Sequence, residues 1–146
     1  MNLSKIAFGT ILIVAVATSA IALPDINELR KTKAGHLGEC HAFIEFRLDR
    51  NQPITPEMNA FLTRENDNLT RLHGAYRRVN QVCQEFTDDE PYVACMNKKL
   101  TSEEYAYFIV YGTRRIDSRN DPNYVQTAGL ICIDEFYFGG HGRYRK

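Results

Sequence analysis

The chain has no tryptophan, and its four cysteines are not arranged in paired C-x-x-C metal knuckles. Gaps of 42, 11 and 36 residues separate Cys40, Cys83, Cys95 and Cys132. It also lacks G-x-S-x-G, H-E-x-x-H and a phosphate-binding glycine loop. The stretch closest to a calcium loop, Asp117-Ser118-Arg119-Asn120-Asp121, has neither the required glycine nor the terminal glutamate. Motif-bearing serine hydrolases, zinc proteases, nucleotide hydrolases and calcium sensors are therefore not indicated. Charge of one sign is missing too, since 18 basic residues balance 18 acidic ones. Such a chain has no long-range field for a polyanion, and a nucleic-acid partner is not expected.

Long apolar runs are absent except at the start. Residues 6–22 form one, interrupted by Thr10, Thr18 and Ser19. Those 17 residues fall short of the roughly 20 that a spanning helix uses. Lys5 precedes the run and Ala20-Ile21-Ala22 closes it with a small-x-small pattern, so residues 1–22 read as a secretory signal cleaved before Leu23. The mature chain is expected to be secreted and extracellular, with no transmembrane span. It comprises a single helical domain over residues 23–138 and a flexible basic tail over residues 139–146.

In an oxidising compartment an even number of cysteines reads as two disulfides, which uses Cys40, Cys83, Cys95 and Cys132 completely. Three pairings are open. Cys83 with Cys95 and Cys40 with Cys132 is preferred, because the first pair would clamp neighbouring helices across a short turn. Each bridge would add ~2–4 kcal/mol by restricting the unfolded chain. No thiol is then left for nucleophilic catalysis. Cys40 and His41 would in any case diverge by about 100° on a helix. His36 and His41 are five apart rather than four, so no metal or other cofactor is expected.

Periodicity makes the domain mostly α, a small disulfide-stabilised bundle of four to five helices. The segment 23–40 reads as an arm or short helix interrupted near Gly35 and Gly38, and residues 36–50 as helix one, ended by Pro53. Thr55-Pro56-Glu57 is a helix start. From there Leu62, Leu69, Tyr76 and Cys83 recur every seven residues, as do Met58, Leu72, Val79 and Phe86, with Glu65 the polar interruption. This predicts one long central helix over residues 56–86. Capping boxes are predicted at Thr87/Glu90 and Thr101/Glu104. The second opens a segment in which helix and strand compete over residues 105–111, Gly112 being the candidate stop. Residues 114–123 read as a polar loop. A helix starting at Asp121-Pro122 follows, and residues 130–138 could be helix or strand.

Three features could carry function. Asn68-Leu69-Thr70 is a glycosylation sequon, with Asn68 on the flank of the apolar seam. Arg64, Arg71 and Arg78 share one heptad position opposite the seam, either a solvated face or a docking strip for a protein partner. Nine of the 16 Phe and Tyr residues lie from Tyr105 onward, where they either pack the core or wall an apolar site. His73 borders the seam and is expected to cap or pack. The reading that joins these features is a secreted, non-enzymatic binding protein for an extracellular protein partner or an apolar small molecule. One alternative is a small extracellular hydrolase with dispersed acids and histidines. The other is a secreted signalling or effector factor released by cutting at Arg77-Arg78, Lys98-Lys99 or Arg114-Arg115.

Overall fold

The computed structural model describes residues 24–121 and Cys132. The expectations for the first 22 residues, for residues 122–131 and for everything after Cys132 lie outside the described residues. Six helices follow one another: α1 (Ile26–Leu29), α2 (Lys33–Asp49), α3 (Pro56–Arg64), α4 (Asn66–Cys83), α5 (Asp89–Lys99) and α6 (Ser102–Asn120). No strand occurs among the described residues, so residues 105–111 are helical. No helix among them is long and apolar enough to cross a membrane.

The principal pairing is α2 against α6, with α4 laid on α6 and α5 packed on α4. Close approach of α2 to α6 follows from a ridge of small side chains. Ala34, Gly38 and Ala42 recur every fourth residue on one face of α2, and all are buried. A Cβ on Gly38 would lie 2.8 Å from the Tyr107 carbonyl oxygen, so only glycine permits this spacing. Neither Gly35 nor Gly38 interrupts a helix; both lie inside α2, which starts at the Thr32 N-cap. Around this contact Leu37, Phe43, Ile44, Phe46, Met58, Phe61 and Tyr107 form one core cluster. Tyr92, Val93, Met96, Phe108 and Ile109 form a second on the other side of α6.

Two sequence expectations fail for the same reason. The long helix over residues 56–86 is two helices, broken at Glu65, where φ is −98° and ψ is 14°. In a continuous helix Glu65 would fall within the apolar seam. At the break its buried carboxylate instead accepts a hydrogen bond from Asn68 Nδ2 at 2.9 Å. Conversely, the polar segment beginning at Arg114 is not a loop. Helix α6 runs through buried Gly112 to Asn120, because its polar side chains find partners on α2 rather than in water. Arg114 pairs with Glu39, and Arg115 with Asp49. Arg114 also pairs with Asp117, one turn along. Arg114 is buried with its partners while the Arg115–Asp49 pair stays at the surface, and together they hold a helix where composition alone suggests a loop.

Helix caps divide in the same manner. Thr55 caps α3 with Pro56 in its first turn, and Thr101 with Glu104 forms the reciprocal box of α6. The box expected at Thr87/Glu90 does not form, because α5 begins after Asp88, which makes no side-chain cap bond. The disulfides are Cys40–Cys132 and Cys83–Cys95, each with 5.7 Å between Cα atoms. The second ties the end of α4 to α5.

Candidate functional site

Where α2, α4 and α6 meet, each helix brings polar side chains one turn apart. His41 and Glu45 come from α2, His73, Tyr76 and Arg77 from α4, and Tyr107, Tyr111 and Arg115 from α6. At the centre is the Tyr107 hydroxyl, carried by a residue with no exposed surface. It lies 2.7 Å from Nδ1 of His41 and 2.9 Å from Nδ1 of His73. The far nitrogen of His41, Nε2, is 3.4 Å from Glu45 Oε2. The other Glu45 oxygen, Oε1, accepts the Tyr111 hydroxyl in a short hydrogen bond. Tyr107 and Tyr111 stack with centroids 5.4 Å apart, and His73 stands edge-on to Tyr111 at 5.1 Å.

The electrostatics keep this junction uncharged at its heart. Burial pushes His41 down to about 4, against the opposing pull of Glu45 and with help from His73 and Arg115. Burial also lowers His73, which Glu45 favours and Arg77 and Arg115 oppose as a cation. The Tyr76, Tyr107 and Tyr111 hydroxyls are all held above their ordinary range, chiefly by burial. Both histidines are therefore neutral at pH 7, and the tyrosines are protonated. The outer edge is nonetheless open to solvent, since Glu45 and Arg115 side chains are 29% and 25% exposed.

A second polar cluster occupies the same pair of helices. The Glu39 carboxylate, 4% exposed, accepts from Arg30 Nε at 3.1 Å and from Arg114 Nε at 3.1 Å. Arg114 Nη1 reaches Asp117 at 2.7 Å. In this cluster opposite charges face one another across the helices. Its role is to hold α1 and α6 on α2.

The residues singled out from the sequence do not gather in one place. All four cysteines are bonded in pairs. His36 Nε2 stands 3.5 Å from Cys40 Sγ and 3.7 Å from Cys132 Sγ in a buried group whose donor atoms could surround a metal ion. Sulfurs joined to each other offer no thiolate, so the group is a disulfide packed on an imidazole. Asn68 is on α4, half-buried, bonded to Glu65 and accepting from Arg71 Nη2 at 3.1 Å. The arginine strip is split, with Arg64 on α3 and Arg71 and Arg78 on α4. Arg71 makes a two-point pair with Glu103 at 2.9 and 3.2 Å. The three dibasic pairs all lie within helices. Of the C-terminal aromatics, Tyr105, Tyr107, Phe108 and Tyr111 belong to α6, and Phe108 stacks on Tyr76 with centroids 5.8 Å apart, which is core packing.

Glu45, Tyr76, Tyr107, Tyr111 and Arg115 were not singled out as a site from the sequence. The legible signals were His41/Glu45 and Tyr107/Tyr111, each spaced four apart. Nothing local says that the two pairs meet. No family model, curated protein or solved structure matches the chain.

Proposed function

We propose that the protein is an exported, non-enzymatic binding protein that engages another protein through the junction of α2, α4 and α6. The observation that carries this reading is the partly exposed cluster of His41, Glu45, His73, Tyr76 and Arg115, set on three packed helices with Tyr111 buried beneath it. Aromatic and arginine side chains with both apolar bodies and polar ends dominate the energetics of protein interfaces. Here they are pre-positioned, so little ordering entropy is lost on binding. The bonded cysteines and the export-like start support an extracellular setting. For an apolar small molecule the relevant surface is different: Val82 and Phe86, 55% and 40% exposed at the end of α4.

The test is a photo-activatable side chain placed at Tyr76, with the same group at exposed Glu57 as control. Irradiation in the medium the protein is exported into gives a discrete protein adduct from position 76 alone. Equal labelling at both positions removes the proposed face.

The hydrolase is the second reading, favoured by one observation, an imidazole beside a carboxylate at His41 and Glu45. No serine or thiolate among the described residues belongs to the cluster, so it would need a water nucleophile. Saturable turnover of an ester, amide or glycoside, abolished by His41→Gln, would replace the binding reading with this one.

A further inference from the structure

The Tyr107 hydroxyl has one hydrogen, and two imidazole Nδ1 atoms lie within bonding distance of its oxygen. It can donate to only one of them, so the other must donate to it. Two arrangements satisfy this count. In the first, Tyr107 donates to His41 and receives from His73. In the second, the roles are exchanged. Glu45 decides between them. Its carboxylate lies 3.4 Å from His41 Nε2, where a hydrogen is attracted and a lone pair repelled. A neutral His41 with hydrogen on Nε2 has a bare Nδ1, which accepts from Tyr107. His73 must then carry its hydrogen on Nδ1, and its Nε2 is left as a lone pair that bonds to no described residue.

We propose that Glu45, His41, Tyr107 and His73 form a directional hydrogen-bonded relay that presents the His73 Nε2 lone pair at the α2–α4–α6 junction as the site of first proton uptake. The relay makes the two histidines unequal. A proton added to His73 Nε2 breaks no hydrogen bond, because His73 already donates through Nδ1. A proton added to His41 must go on Nδ1, where Tyr107 is the donor. Tyr107 would then face two N–H groups with its own hydrogen inside the core and no further acceptor among the described residues. The first proton therefore charges the junction without disturbing it, and the second leaves the Tyr107 hydrogen without an acceptor where α6 meets α2.

The surrounding groups set where this happens. From α2, Glu45 favours the added charge, and Asp49 is engaged with Arg115. From α4, Arg77 opposes it, while Tyr76 is neutral. From α6, Arg115 opposes it, and Tyr107 and Tyr111 stay protonated. The depression of His41 to about 4 agrees with its being second. If the junction is the binding face, a step that rests on the function proposed above, acid turns its centre from a neutral acceptor into a cation.

Long-range nitrogen–proton NMR on the isotope-labelled, disulfide-bonded full chain tests the relay without any partner. At pH 7 His41 is expected as the Nε2–H form and His73 as the Nδ1–H form, the less common one in water. On acidification His73 titrates first, with the His41 signals unchanged until lower pH. Tyr107→Phe removes the shared hydroxyl and should return His73 to the Nε2–H form. Glu45→Gln should leave the two arrangements mixed, which covers the case in which Tyr107→Phe does not fold. Finding His73 as Nε2–H in the unaltered protein, or His41 protonating first, overturns the relay. A relay found intact with no adduct at Tyr76 would retire the binding face alone.

Discussion

Two polar clusters lie between α2 and α6, and they solve the problem of burial in opposite ways. Around Glu39, opposite charges pair: one carboxylate between two guanidiniums, with Asp117 beyond. Around Tyr107, the groups are neutral and share hydrogens. The first arrangement is held by opposite charges in direct contact, so it is a strut. The second depends on where each proton resides, so it responds to pH. The contrast shows that burial of polar groups need not have a single meaning within one helix pair. Partner chemistry separates scaffold from candidate site.

The largest expected effect comes from breaking the strut. Glu39→Ala removes the buried carboxylate shared by Arg30 and Arg114, leaving Arg114 with Asp117, and should cost about 3 kcal/mol in urea unfolding. A cost below 1 kcal/mol would mean that the Glu39 cluster is no more structural than a surface pair.

Next comes acid. His41 is held at about 4 in the folded chain, against about 6.5 when unfolded, so the folded state binds fewer protons between these values. The stability owed to neutral His41 is complete above about pH 6.5 and is lost progressively as pH falls to about 4, to a total of about 3 kcal/mol. Comparing unfolding across that window with His41→Gln, which lacks the titration, isolates the effect. Identical pH profiles would place His41 outside the neutral cluster.

Gly38→Ala tests what the two clusters have in common. Gly38 lies in sequence between Glu39 and Leu37, and its missing Cβ sets the α2–α6 spacing on which both clusters depend. Overpacking there should cost about 1–3 kcal/mol and shift the His41 and His73 resonances together. A destabilised variant with unmoved histidine signals would show that the clusters tolerate a wider spacing.

The smallest effect is reserved for Arg71→Gln. Its pair with Glu103 has near-ideal contacts but is half-exposed on both sides, with side chains 48% and 53% exposed. Solvent screening should keep the loss below about 1 kcal/mol, measured by the same denaturant midpoints. A loss equal to that of Glu39→Ala would erase the distinction between buried strut and surface pair.

Much of the helical frame was readable from local signals. Thr55-Pro56 and Thr101/Glu104 cap helices because a hydroxyl satisfies an amide within one turn, and that requirement is written within four residues. The preferred cysteine pairing was readable because Cys83 and Cys95 are only 12 residues apart and flank a turn. The fixed small-residue spacing of Ala34, Gly38 and Ala42 was equally present, but only the approach of Tyr107 gives it meaning.

The sequence by itself determined that the domain would be mostly helical, where several helices begin, and which side chains are chemically able to share protons. The tertiary structure alone decided that the seam breaks at Glu65, that residues 114–120 stay helical, and that His41, His73 and Tyr107 converge. Caps and periodicity act within a turn or two of one helix. A buried carboxylate, guanidinium or imidazole is stabilised by partners from other helices, and their meeting is a property of packing in three dimensions.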